Sequence, residues 1–393
     1  MTSVTPQHAH RRVWIHGASL GDVNALSGLV SALRDQGAHL FVSATTRSGR
    51  ARWGQLFPEV ELRDPPLLSA RAARRALRDA QVEVLILELL EIWPAWVKTW
   101  ARRGVSVIVV DGRVSARTMW ARPLLRKSMS QLSLFLAQTA LDAERAKRLG
   151  AKPSRVRVCG DAKLDSLIDR ASLSVAPSAL PKIQLFMFGC VRPQDERPLL
   201  SALTARCGEL HNKTLLIAPR HLRRISPLLR RATRLGHDVY LRSELSRDLS
   251  LSSTLSKTVH PSIADHAETE RPRLKIILLD TYGELASLYH HAHAAVIGGT
   301  FFNRGQNLIE AAVAECAVIY GPRVDTILAQ SEALRGQGAY RVSTWDEAIS
   351  LCVTFSASDR REIGARAESL DTLRGSLARQ LRCLEEHLCE LAE

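Results

Sequence analysis

Ala294-Ala295-Val296-Ile297-Gly298-Gly299-Thr300-Phe301-Phe302-Asn303-Arg304-Gly305-Gln306-Asn307-Leu308-Ile309-Glu310 is the stretch on which the fold turns. An apolar run ends in two glycines, crosses a polar loop and enters a helix that carries Asn307 and Glu310. A strand feeding a helix in this way is one βα unit of a parallel sheet. Glycines at a strand end let a ligand approach the backbone, and the following helix offers unpaired N–H groups to an anion. Glu310, about one turn into that helix, is placed to accept two hydrogen bonds from a ribose diol, as acidic residues do in nucleotide-binding folds. Locally this reads as a nucleotide-sugar site, with an ordinary strand–loop–helix joint as the alternative.

The same alternation extends outward in both directions. In the first half, strands are expected at Arg12–His16, 39–44, Val84–Glu88, 105–110, Leu134–Ala137 and 156–159. Helices are expected at 23–36, 94–103 and 141–149, the last stopped by Gly150. Residues 171–182, rich in Ser, Ala and Pro without periodicity, read as a linker. Strands resume at 184–188, 214–218, Asp238–Leu241, 275–279, 294–297 and Ala317–Tyr320. Residues 243–271 read as a polar surface excursion and 359–393 as helix throughout. The expectation is α/β: two Rossmann-like doubly wound parallel-sheet domains, 1–170 and 183–393, facing each other across a cleft, with the last helix able to pack back on the first. Ligands of such sheets sit outside the carboxyl ends of the strands.

Bulk properties narrow the class. At 393 residues the chain has room for two cores. Hydrophobic residues at 46% with 24% charged exclude a disordered polymer. No window approaches the roughly 18 unbroken apolar residues of a membrane span. The first twelve residues lack the apolar centre of a signal peptide, which implies a cytoplasmic protein. Seven cysteines without a CxxC pair argue against a zinc or disulfide framework. The net charge of +14, with arginines clustered at 71–78, 117–126 and 220–234, attracts polyanions: nucleic acid, lipid headgroups or phosphorylated substrates. No nucleic-acid motif and only 5% aromatic residues set nucleic acid aside.

Nine motifs, in order along residues 13–345, carry a resemblance. They are Trp14-Ile15-His16 with Ser19-Leu20-Gly21-Asp22; Glu91-Ile92-Trp93-Pro94; Asp111-Gly112-Arg113 with Ser115 and Arg117; Ala137-Gln138; Gly160-Asp161-Ala162-Lys163; Pro219-Arg220-His221; Asp280-Thr281-Tyr282-Gly283-Glu284; Gly298-Gly299 with Asn307 and Glu310; and Gly321-Pro322. Together they resemble the 3-deoxy-D-manno-octulosonic acid (Kdo) transferases of lipopolysaccharide assembly. The resemblance implies an inverting, metal-independent GT-B glycosyltransferase that moves Kdo from CMP-Kdo to a lipid A precursor at the inner face of the inner membrane, with no cofactor. Another GT-B enzyme, a transferase of a different sugar or a sugar-nucleotide epimerase, is the nearest alternative.

Residue by residue, Asp22 takes the place of the family's glutamate and is expected to be the base that accepts the acceptor's proton, or a helix cap, two compatible roles. Glu91 is expected to bind the acceptor, orient that base or cap the helix beginning near Pro94. Ser19 and Gly21 belong to the same acceptor loop. Arg113 and Arg117, spaced i and i+4, are candidates for phosphate or carboxylate binding, with plain solvation as the alternative. Arg220 is expected to neutralise the leaving phosphate, with His221 as a second donor. Gly283 and Glu284, Gly298 and Gly299, and Asn307 and Glu310 would complete the nucleotide pocket. Lys163 is placed near the linker. His290, His291 and His293 are read on a helix at a spacing that does not bring three ligands to one face, so no metal is expected.

Three departures stand out. Only twelve residues precede Val13-Trp14-Ile15-His16, where the family carries a hydrophobic anchor, so membrane contact is expected from the first domain's own basic and apolar surface. The family's Gly-Gly-His-Asn-Pro-Leu-Glu-Pro loop here reads Arg304-Gly305-Gln306-Asn307-Leu308-Ile309-Glu310-Ala311. Its Ser-Thr-His after the linker has become Cys190-Val191-Arg192, which loses hydroxyls and gains a charge.

Overall fold

The computed structural model describes residues 11–66, 68–172, 185–245, 272–303, 305–355, 360–364, 370–371 and 373–390. The chain divides into two compact units: Met1–Ser166 with Leu373–Glu393, and Leu167–Thr372. Most of the linker and of the polar excursion, 173–184 and 246–271, falls outside the described residues.

The first unit holds strands β1 (Arg12–His16), β2 (His39–Ser43), β3 (Glu61–Leu62), β4 (Val84–Glu88), β5 (Ser106–Gly112), β6 (Leu134–Ala137) and β7 (Val156–Val158). They form a parallel sheet ordered β3-β2-β1-β4-β5-β6-β7. The strands read as continuous apolar runs because both faces are covered, as parallel sheets require. Their side chains divide by period two: Trp14, Leu85, Leu87, Val107 and Val109 pack on one face, and Val13, Ile15, Val84, Ile86 and Ile108 on the other. Trp14, Trp53, Trp96 and Trp100 are fully buried. Truncating any one of them would cost about 3–5 kcal/mol.

The second unit repeats the plan with β8 (Leu185–Val191), β9 (Thr214–Pro219), β10 (Asp238–Leu241), β11 (Lys275–Leu278), β12 (Ala292–Ile297), β13 (Ala317–Tyr320) and β14 (Ala339–Arg341). Its order is β10-β11-β9-β8-β12-β13-β14, again parallel. Strand order reverses between β1 and β4 in one unit and between β8 and β12 in the other. These switch points are where an open parallel sheet receives its ligand. Leu89 just after β4, Asp111 near the end of β5 and Cys190 near the end of β8 are non-glycine residues at positive φ. Backbone strain of this kind clusters at sites that bind or react.

Several local expectations need correction. The helix after the Gly298 loop is only Ile309–Val313, so Asn307 precedes it and Glu310 is its second residue. His290, His291 and His293 are not on one helix: the helix Leu285–Tyr289 ends before them, and His293 lies in β12. Arg113 follows a strand and Arg117 opens a 3-10 turn, Arg117–Ala121, so their i, i+4 spacing has no helix beneath it. Asp111 lies inside β5 rather than in the loop after it. Among the described residues of the C-terminal region, Arg360–Ile363 and Ser376–Glu390 are helical while 370–371 and 373–375 are turns, so the helix is not continuous. Helices Arg47–Leu56 and Ala70–Ala80 were not anticipated. Arg47–Leu56 gives little periodic apolar signal, whereas Ala70–Ala80 buries Ala73, Leu77 and Ala80 on one face of an arginine-rich sequence that reads as a charge cluster. Capping by Thr46 and Ser69 fixes where the two begin.

Candidate active site

At the first switch point, β1 ends at His16 and the helix Leu20–Asp35 begins after Ser19. Asp22 Oδ2 accepts the Ser19 backbone N–H at 2.8 Å and the Ser19 hydroxyl at 2.9 Å. Cap and candidate base are thus the same residue. One carboxylate oxygen holds the turn, while no hydrogen bond reaches Oδ1 among the described residues. Gly21 sits in the first turn, with the Ser19 hydroxyl 3.6 Å from where its Cβ would stand. Beneath the turn, His16 is buried, its Nδ1 2.8 Å from the Ser43 hydroxyl, and burial lowers its pKa to about 4. It stays neutral at physiological pH.

Across the switch point, Glu91 is half-buried in the loop after β4. Burial, and then the charge of Asp22, raise its pKa. A second acid went unread in the sequence. Glu88 ends β4, is 2% exposed, and its Oε2 has no hydrogen-bond partner. Its pKa is well above the usual carboxylate range through burial, then Asp111, Asp161 and Asp22. The available signal was a lone carboxylate closing an otherwise apolar strand, Val84–Glu88. Asp111, also buried, accepts from Ala162 N at 2.7 Å and Gln380 Nε2 at 2.6 Å, tying the C-terminal helix to β5. Burial, then Asp161, push it up to about 8. Arg113 is half-buried and its charge acts on Asp161, whereas Arg117 is exposed. The two do not form a pair. Lys163 also acts on Asp161, through its backbone N–H at 3.0 Å and its charge.

At the second switch point the glycines serve a different purpose from the one expected. Gly298 N–H donates to Gly189 O at 2.7 Å, and Gly299 N–H to Asp195 Oδ2 at 2.8 Å. Both glycines are buried, and a Cβ on Gly298 would lie 2.8 Å from Val191 Cα. It is the chain itself, the end of β8 at Cys190 and Val191 with Arg192 and Gln306, that approaches their backbone. Neither amide is left for a phosphate.

Arg220 and His221 are exposed immediately after β9. Gly283 is exposed at φ +86° with open space around it. Glu284 is engaged: Oε1 accepts from Arg242 at 3.1 Å and Oε2 from the Thr281 hydroxyl. Asn307 Oδ1 accepts Ile309 N–H at 2.9 Å and so caps the short helix. Glu310 is half-buried and acts on the Cys190 thiol, which burial pushes up to about 11. Among the described residues no group of three or more His, Cys, Asp or Glu is arranged to hold a metal ion.

Two doubly wound parallel seven-stranded units are the GT-B fold, found in glycosyltransferases and sugar-nucleotide epimerases. A glycosyltransferase from Rickettsia africae ESF-5 aligns with 96% of this chain and 99% of its own at TM-score 0.61 and 10% identity. A putative UDP-N-acetylglucosamine 2-epimerase from Listeria monocytogenes aligns with 97% of this chain and 98% of its own, also at TM-score 0.61, with 11% identity. These two likenesses concern the fold alone. Residues 2–166 match the family described as 3-deoxy-D-manno-octulosonic-acid transferase (kdotransferase). The 3-deoxy-D-manno-octulosonic acid transferase of Bordetella pertussis is 28% identical over 402 residues, which cover 96% of this chain and 87% of its own. By these matches the chain is similar to the Kdo transferases.

Proposed function

We propose that the chain transfers Kdo from CMP-Kdo to a lipid A precursor, with inversion and without a metal. The observation that carries this reading is Asp22, a carboxylate fixed by Ser19 through one oxygen while the other accepts no hydrogen bond among the described residues. In the proposed step Asp22 accepts the proton of an acceptor hydroxyl. That oxygen attacks the anomeric carbon, and the sugar–phosphate bond breaks with its electron pair leaving on CMP. Glu91, whose pKa is raised by burial and then by the charge of Asp22, binds the acceptor or orients the base. In the second unit Arg220 neutralises the leaving phosphate, with His221 beside it. Gly283 and Glu284 border the cytidine, Asn307 and Glu310 face the ribose, and Gly298 and Gly299 support the pocket from below.

The acceptor is read as an anionic lipid reached from the inner face of the inner membrane. Supporting this, Trp120 is 88% exposed and Leu124 66% exposed, among exposed Arg117, Arg122, Arg126 and Lys127. Basic residues interleaved with an exposed Trp and Leu suit an anionic bilayer surface. No helix of the described residues is long and apolar enough to cross a membrane. Incubation with a CMP-Kdo generating system and a lipid A precursor, read by mass, tests the assignment. A mass gain of one or more Kdo units is expected. An unchanged precursor, together with thermal stabilisation by UDP but not CMP, would reject it in favour of a UDP-sugar enzyme.

A further inference from the structure

Strands β8 and β9 end in register: Val191 pairs with Pro219, and Arg220 N–H donates to Val191 O at 2.8 Å. The next residue on each strand is an arginine, Arg192 on one and Arg220 on the other. Some arginines of this unit are matched to acids, Arg224 and Arg231 to Glu196, Arg242 to Glu284 and Arg273 to Asp238, whereas exposed ones such as Arg223, Arg230 and Arg234 are not, among the described residues. Among the described residues neither Arg192 nor Arg220 has a carboxylate within ion-pair distance. Arg192 Nε is buried without a hydrogen-bond partner.

The two cations act on the same ground. After burial, Arg220, Arg223 and Arg192 each depress the protonation of His221. Arg220 and Arg192 also both act on the Cys190 thiol, against burial and Glu310. Gly299 leaves room for Arg192 to cross the turn, since a Cβ there would stand 3.1 Å from its Nε. The nearby acids are few. Asp195 gives Oδ2 to the N–H groups of Arg192 and Gly299 and Oδ1 to Trp345, while Glu310 acts on Cys190 from its short helix. Three guanidiniums against two carboxylates leave this strand edge positive. The Gly298 and Gly299 amides already have partners within the chain, so an anion arriving here must be held by side chains.

We propose that Arg192 is a second anion-binding residue beside Arg220, and that the pair selects donors bearing two negative charges, the nucleotide phosphate and a carboxylate on the sugar. This rests on the reading of the second unit as a cytidylate-donor site. Neighbouring cations repel each other in the free protein, and two anionic groups on one ligand relieve that repulsion while matching two planar forks. Where the resemblance places a histidine, which is largely neutral at pH 7, Arg192 carries a permanent charge.

Calorimetric titration of the full chain tests this with two probes: CMP-N-acetylneuraminic acid, a phosphodiester with a sugar carboxylate, and the methyl ester of CMP, a phosphodiester alone. The wild type is expected to bind the acidic sugar nucleotide at least about tenfold more tightly than the methyl ester. Arg192→Gln should erase that preference while leaving the methyl ester within about twofold, and Arg192→Lys should keep part of it. Arg220→Ala should weaken both probes. An undiminished preference in Arg192→Gln, or no preference in the wild type, overturns the proposal while the donor reading stands. Binding of neither probe by the wild type removes the donor reading and this proposal together.

Discussion

The two switch points are built on one topology and filled with opposite chemistry. In the first unit β1 and β4 lead to Asp22, Glu88 and Glu91; burial, and then neighbouring carboxylates with Asp22 among them, raise the pKa of Glu88 and Glu91. In the second, β8 and β9 deliver Arg192 and Arg220, cations with no ion-pair partner among the described residues. The backbone is treated differently as well. Near Asp22 one oxygen of the functional carboxylate also holds the turn, whereas near Gly298 a separate acid, Asp195, takes the backbone N–H groups. A shared fold therefore says where a ligand sits, and side chains at a few strand ends decide which charge it carries.

The contrast breaks most decisively at Asp22. Asp22→Asn is expected to lower turnover by about 10²–10⁴-fold, the range of a lost general base, while CMP binding stays unchanged by calorimetry. Turnover within threefold of wild type would remove Asp22 from the chemistry and with it the acid half of the comparison. Next in size is Gly298→Ala, whose Cβ would press on Val191 Cα. A loss of about 1–3 kcal/mol in urea unfolding is expected, the usual cost of overpacking. An unchanged midpoint would mean that the turn is open after all.

The smallest effect concerns pH. Asp111 keeps its proton in the folded state up to about 8, whereas unfolded it loses it near its ordinary 3.8. The folded state thus binds more protons across that window, and this contribution to stability declines as pH rises through it. His16 works the other way, between about 4 and 6.5. Its folded pKa is depressed, so stability rises with pH there and is flat above. Urea midpoints at pH 7 and 9 therefore exclude His16, while buried thiols such as Cys190 and Cys352, whose pKa burial raises, contribute equally to the wild type and to Asp111→Asn. The wild type should lose stability between these values, and Asp111→Asn, which mimics the neutral acid, should lose less. Equal slopes would show that Asp111 is already ionised at pH 7.

Much of this was legible in the chain of letters. Apolar runs such as Val84–Glu88 and Ala317–Tyr320 mark buried parallel strands because both faces of such a sheet are covered, which leaves little polar alternation to misread. Motif order placed Asp22, Glu91, Arg220 and the Gly298 turn just after strands. The opening motif shows the limit. A glycine pair reports that something comes close to the backbone, not whether that something is a ligand or the chain itself. Here it is Val191 and Arg192, which lie about 110 residues earlier in sequence.

Twelve of the fourteen described strands and their parallel pairing were thus legible in sequence, with the short β3 and β14 missed, since hydrophobic periodicity and Gly, Ser and Pro punctuation act over a few residues. Tertiary structure alone decided the rest: that Glu88, Asp111 and Asp161 share one buried neighbourhood, that the Gly298 and Gly299 amides are already occupied, and that Arg192 stands beside Arg220. The physical reason is range. Desolvation and Coulomb interaction depend on distances through space, and the strands that set those distances are brought together from far apart in the chain.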